Sequence, residues 1–251
     1  MRKTLVIVTL AVGSAIAALL GFSQTSLAQG PEAAATDEPV LVELFTSQGC
    51  SSCPPADRLA ERLASNEDLV IISRPVDYWD RLGWKDTLAS PANTERQRAY
   101  ARRGLAGYNG VYTPQTVVDG AFGEVGSNER GLLTQIRAAR SLDRPAKLHV
   151  IKVPGEGFAV GLAGNPKAPA DLVLIGVART SDIAIGRGEN RGRTLRYTNA
   201  LVSEERVYRW IGGKDSVAIT LDQLDAPKAD RYALVLREPK AGRVLAARWL
   251  D

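Results

Sequence analysis

Glu43-Leu-Phe-Thr-Ser-Gln-Gly-Cys50-Ser-Ser-Cys53-Pro-Pro-Ala-Asp57 decides what this 251-residue chain can fold into. The run Pro39–Phe45 leading into it is nearly continuous in apolar residues, the pattern of a strand covered on both faces of a sheet. Thr46–Gly49 reads as a loop. Pro54 and Pro55 suit the first turn of a helix, where missing N–H groups cost little. Ala56, Leu59, Ala60 and Leu63 then mark one helical face through about Ser65. Asp68–Val76 is apolar again, so the stretch sits inside a strand–helix–strand unit.

Further along, Asp77–Trp84 is a loop dense in aromatics, and Asn93–Arg103 reads as a polar helix. Thr116–Asp119 and Ala121–Val125 are strands joined at Asp119-Gly120, a strong hairpin signal between apolar runs. Ser127 can cap a helix that runs to about Arg140. At Asp143-Arg-Pro145 the pattern changes. From Ala146 onward there are short strands with turn residues between them, at 147–153, 158–163, 171–179, 194–202, 207–210, 216–220, 231–237 and 243–249, and one short helix near 221–224. Many short strands without crossover helices predict an antiparallel sandwich.

The N-terminus reads as a targeting segment. Arg2 and Lys3 precede the uncharged apolar stretch Leu5–Leu20, and Ser26-Leu27-Ala28 offers small residues for cleavage after Ala28. An uncleaved anchor is the rival, since the stretch nears the roughly 20 residues a spanning helix needs. The expected organisation is a signal peptide over 1–28, a flexible leader over 29–38, one domain over 39–143 and a β-rich domain over 146–251. The expected location is the periplasm or the exterior, without stable membrane insertion after cleavage. Charge is nearly balanced, with 32 Lys and Arg against 28 Asp and Glu, and no basic run is interleaved with aromatics, which argues against nucleic acid. His149 is the single histidine and Met1 the single methionine, which excludes multi-histidine metal centres and Met-rich copper sites. No cofactor and no metal site is expected.

Cys50-Ser-Ser-Cys53 follows a strand and opens a helix. A helix N-terminus stabilises a thiolate on the first cysteine, and the helical turn brings the second within reach to resolve a mixed disulfide. Cys50 is then the exposed attacker and Cys53 the buried resolver. A purely structural bridge is the bland alternative, but a disulfide's benefit grows with the loop it closes, and this loop is nearly the shortest available. A c-type haem site would need a histidine where Pro54 stands.

The order strand, Cys-x-x-Cys, helix, strand, inserted helix, Thr-Pro, hairpin, helix resembles thioredoxin over about residues 38–141. More narrowly, residues 43–57 together with Val-Asp-Tyr-Trp-Asp-x-Leu-Gly-Trp-Lys-Asp, Arg-Gln-x-Ala-Tyr and Tyr-Thr-Pro-Gln-x-Val-Val-Asp-Gly look like an exported bacterial domain-of-unknown-function family. The resemblance implies an α/β chain: a thioredoxin-like domain (β-α-β, inserted helix, β-hairpin, α) followed by a β-rich, sandwich-like C-terminal domain. It implies no established substrate. It also implies a cis-proline at Thr113-Pro114 packed against the cysteines, with Thr113 touching a partner backbone. Glu43 lies near the place of thioredoxin's buried carboxylate, where a raised pKa would suit proton movement to and from the resolving thiol; its alternative is a strand residue that faces a polar edge or pairs with a basic residue. Relatives often carry a histidine where this chain has Pro75, so any tuning by that histidine is absent here.

Tyr78, Trp79 and Trp84 could form a docking rim for partner peptides or simply cover the sheet end. His149 reads as an exposed or hydrogen-bonded strand residue rather than the base of a cysteine hydrolase. Gly186–Arg193 reads as a glycine-rich inter-strand loop, because its glycine spacing fits no phosphate-binding fingerprint. The leading function is an exported thiol–disulfide oxidoreductase serving a protein or small-thiol client, with an unidentified partner recycling the pair. Its alternatives are a Cu(I)-binding module built on the two thiolates and a redox-inert interaction protein.

Overall fold

The computed structural model describes residues 38–106 and 110–250. The signal peptide and nearly all of the leader lie outside the described residues. The described chain runs β1 (Val40–Thr46), α1 (Pro54–Leu63), β2 (Leu69–Pro75), α2 (Pro91–Arg102), β3 (Gln115–Val118), β4 (Phe122–Val125) and α3 (Glu129–Arg140). It continues through β5 (Ala146–Val153), β6 (Gly157–Gly164), β7 (Ala170–Ala184), β8 (Thr194–Trp210), β9 (Asp215–Thr220), β10 (Arg231–Arg237) and β11 (Val244–Leu250).

The expected fold, a thioredoxin-like α/β domain followed by a separate sandwich-like one, is not what the chain builds. Among the described residues strand outweighs helix about two to one, with three α-helices, and one mixed sheet of eight strands runs β11-β10-β7-β8-β2-β1-β3-β4. Strands from both parts of the sequence thus share one sheet. Only β5, β6 and β9 form a second, three-stranded antiparallel sheet. The physical reason lies at β2, which is buried along its whole length and leaves one edge unpaired by β1. An exposed edge of that kind must be covered, and β8 covers it.

The junction is thin in backbone pairing and reinforced by side chains. Ser73 and Ala200 are the one registered parallel pair. The Ser73 hydroxyl donates to the Thr198 carbonyl at 2.8 Å, and the Asn199 amide donates to the Ile71 carbonyl at 3.0 Å. Asn199 has φ +49, a left-handed conformation that asparagine tolerates better than most residues. At the far end of the sheet, the Trp249 indole N–H reaches the Leu69 carbonyl at 3.2 Å.

The period-2 alternation of β1 and β2 gives each strand two different tasks. Val40, Val42, Leu44, Leu69 and Ile71 face α1 and α3, meeting Ala56, Leu59, Leu132 and Ile136. Leu41, Val70 and Ile72 point the other way, against Val173, Ile175, Ala233, Val235, Ala247 and Trp249. The opposite face of β7, β10 and β11 packs on the small sheet through Leu148, Val160, Leu172, Leu234 and Trp210. The predicted hairpin at Asp119-Gly120 is present, with both residues at positive φ (48° and 59°) and Val118 paired with Phe122.

Candidate active site around the Cys50–Cys53 disulfide

β1 delivers its chain end to a tight loop over Ser47–Gly49. The Ser47 hydroxyl accepts from the Gly49 N–H and its carbonyl accepts from the Cys50 N–H, each at 3.1 Å. Cys53 is the N-cap residue of α1, with no side-chain cap, and Pro54 and Pro55 fill the first turn as the sequence predicts. Cys50 and Cys53 are joined as a disulfide with their Cα atoms 5.4 Å apart. The Cys50 sulfur lies 3.3 Å from the Ser52 hydroxyl and 3.8 Å from the Thr113 carbonyl oxygen. The Thr113–Pro114 peptide bond is cis. Four residues of the sequence-level reading, Cys50, Cys53, Thr113 and Pro114, therefore stand together.

The aromatics lie beside them, half-buried and tethered to the loops that hold the disulfide. The Trp79 indole donates to the Thr113 hydroxyl at 2.9 Å, and the Trp84 indole to the Gln48 side-chain carbonyl at 2.9 Å. Tyr78 stacks obliquely on Trp79, with ring centroids 6.5 Å apart. Gln48 is fully buried, and its backbone N–H donates to Asp86 at 2.8 Å. Both cysteines have no exposed surface, so Cys50 is not the open attacker that a helix N-terminus alone implies.

The model of the family described as proteins of unknown function, DUF1223, matches residues 41–237. The chain belongs to this family. A crystal structure of an Agrobacterium tumefaciens protein is 31% identical with a TM-score of 0.72, covering 84% of this chain and 93% of that one. HBP35 of Porphyromonas gingivalis, 13% identical, has a TM-score of 0.52 over 84% of this chain and 74% of its own, a likeness of fold alone. None of the curated proteins matches.

In this DUF1223 chain Glu43 is placed away from the disulfide. It lies on the β1 face opposite α1, where Arg74 Nε donates to it at 2.6 Å, Arg237 at 3.2 Å, and the Tyr100 hydroxyl closes the set. Burial alone would raise its pKa, but Arg237 and Arg74 hold the carboxyl below its ordinary value. The raised pKa expected of Glu43 is thus absent, because a carboxylate between two guanidiniums is stabilised as the anion.

That property belongs instead to Asp57, which the sequence reading passed over. Asp57 follows Cys53 by four residues, and i,i+4 side chains on a helix are neighbours, about 5–6 Å apart at Cβ. Its backbone N–H donates to the Cys53 carbonyl at 3.1 Å. One carboxylate oxygen accepts from the Thr46 hydroxyl at 2.7 Å, while the other is buried with no hydrogen-bond partner. Burial pushes the Asp57 carboxyl up to about 7, against the opposing Thr46 bond and with help from Asp86. A signal was available: Asp57 interrupts the apolar face formed by Ala56, Leu59 and Ala60, where an acidic side chain is conspicuous.

The glycine-rich segment, read as a plain connection, also belongs to the site. It is the tip of the β7–β8 hairpin, and it reaches the cysteine loop. The buried Asn190 amide donates to the carbonyls of Gln48 and Cys50, both at 2.9 Å, and the Glu189 carboxylate accepts from the Ser51 N–H at 3.0 Å. Among the described residues there is no group of three or more His, Cys, Asp or Glu side chains placed to hold a metal ion.

Proposed function

We propose that this protein is a thiol–disulfide oxidoreductase of an exported compartment, acting through Cys50 and Cys53. The observation that carries this reading is the disulfide itself, closed across the tight turn that leads into α1 with the Thr113 carbonyl beside the Cys50 sulfur. A client thiolate attacks the Cys50 sulfur. The new S–S bond forms there, the Cys50–Cys53 bond breaks, and the electron pair leaves on Cys53. Asp57, whose carboxyl titrates near neutral pH one turn from Cys53, supplies the proton that Cys53 takes up. A second client thiolate then attacks the client sulfur of the mixed disulfide and displaces Cys50 as a thiolate, so the client is oxidised to its disulfide and the pair is left reduced, Cys53 as a thiol and Cys50 as a thiolate. The reverse sequence, begun by the Cys50 thiolate, reduces a client.

Export is part of the proposal, since a stable disulfide belongs to an oxidising compartment. No helix among the described residues is long and apolar enough to cross a membrane. Turnover of insulin disulfides and refolding of a scrambled disulfide substrate test the reading. Catalysis by the unaltered chain and its loss in Cys50→Ser are expected. Equal activity in Cys50→Ser overturns it.

A further inference from the structure

Exchange needs an incoming sulfur to approach the Cys50 sulfur, and the disulfide has no exposed surface. Some covering element must therefore move. On one side the cover is apolar. Trp79 packs with Phe45, Val76, Tyr100 and Val117, and its Cβ stands 3.0 Å from where a side chain on Gly49 would begin. On the other side lies the hairpin tip Gly186–Arg193, and its grip on the cysteine loop is polar. Asn190 is the one buried side chain of the tip; its neighbours Gly186–Glu189 and Arg191–Arg193 are all exposed. Asn190 donates to the Gln48 and Cys50 carbonyls and is steadied by Arg193, which donates to its side-chain oxygen at 3.1 Å. Glu189 adds the single bond from the Ser51 N–H.

The tip is built to move as a unit. Two backbone bonds of 2.8 Å, Ile185 N–H to the Arg193 carbonyl and Gly192 N–H to the Ile185 carbonyl, close its base. Gly188 and Gly192 take the positive φ values (78° and 81°) that such a turn demands. Lifting it breaks three hydrogen bonds to the cysteine loop and draws the backbone of Gly186 and Gly188 off the Trp84 side chain, but removes no buried side chain of the segment 186–193 other than Asn190.

We infer that the tip Gly186–Arg193 is a movable cover over the disulfide and that Asn190 is its latch, setting how often Cys50 is open to thiols. Its role rests on the exchange reading proposed above. The observed rate of attack is the intrinsic rate multiplied by the open fraction, so weakening the latch raises the rate in proportion. Opening also frees the Ser51 N–H, the backbone donor next after Cys50, from Glu189. Asn190 acts through access and is a positioning residue.

The test is the second-order rate of reduction of the full chain by dithiothreitol, which reads access to the disulfide whether or not a protein client exists. Dithiothreitol is oxidised to its cyclic disulfide as the pair gains two electrons and two protons. Asn190→Ala should be reduced about tenfold faster, and Glu189→Ala, on the exposed side, about twofold faster. Trp249→Phe, which removes a distant buried hydrogen bond, separates latching from general loosening and should keep the rate of the unaltered chain. Rates unchanged in folded Asn190→Ala overturn the inference, as does equal acceleration in Trp249→Phe. Should Asn190→Ala not fold, Glu189→Ala decides alone, and an unchanged rate there overturns it. A chain inactive on insulin whose reduction is still accelerated by Asn190→Ala keeps the latch and loses the exchange function.

Discussion

Glu43 and Asp57 are both buried carboxylates flanking the same strand-to-helix unit, and their acidities are pushed in opposite directions. Glu43 sits among Arg74, Arg237 and Tyr100, with Glu204 bridging Arg74, Arg96 and Arg237 on the rim of the cluster. Burial opposes ionisation of Glu204 too, yet the three arginines hold it well below the usual carboxylate range. Asp57 has a hydroxyl for a partner and another acid, Asp86, in its surroundings. Equal burial thus yields a structural anion on one face of β1 and a group that titrates near neutrality on the other. The partner decides, and the depth does not.

Removing one charge from the ionic cluster is the hardest blow to that contrast. Glu43→Gln leaves Arg74 and Arg237 to share Glu204, and breaking a buried pair costs about 3–5 kcal/mol. The urea midpoint at pH 7 should fall accordingly, and a loss under about 1 kcal/mol would mean that Glu43 is not an anion.

The Asp57 side breaks the other way. Its folded pKa stands near 7, above the ordinary 3.8, so the folded chain holds a proton that the unfolded chain gives up. Stability therefore falls as pH rises between these two values and levels off above the upper one. Asp57→Asn keeps the Thr46 bond and removes the titration. It should gain roughly 2–4 kcal/mol at pH 8, flatten the pH dependence, and slow exchange at pH 7 by about tenfold or more. Denaturation series at several pH values, paired with insulin turnover, measure both. An unaltered pH–stability curve would assign the raised pKa elsewhere.

Much of this was legible locally. The apolar run before Cys50, the Pro-Pro helix start and the Asp-Gly turn are signals confined to a few residues, and β1, α1 and the β3–β4 hairpin lie where they point. Long-range pairing leaves no such trace. The separate strands expected at 194–202 and 207–210 are one strand, β8, and nothing in its alternation announces that β2 is its neighbour. The choice between the two readings of Glu43 was hidden for the same reason. Its decisive partner, Arg237, lies 194 residues away, and Asn190 stands 140 residues from Cys50.

Two smaller effects sharpen the picture. Asn199→Ala removes the amide bond to Ile71 at a left-handed position in the β2–β8 seam and should cost about 1–2 kcal/mol, read as a lower melting temperature. His149→Ala, on an exposed position of β5, should stay within about 0.5 kcal/mol and leave exchange unchanged. Lost turnover in His149→Ala would revive a histidine-assisted cysteine chemistry.

The bond from Trp249 to Leu69 and the ion pair from Arg237 to Glu43 set an order of events during biosynthesis. β1 and β2 emerge early, but one of their faces waits for side chains from β7, β10 and β11, and a buried acid waits for an arginine from β10. Contacts of such sequence separation carry a large loop-closure entropy and form late. A nascent chain that has made its cysteine helix thus stays incomplete until β11 has been synthesised, so the helix that carries Cys53 exists before the sheet that buries it is whole.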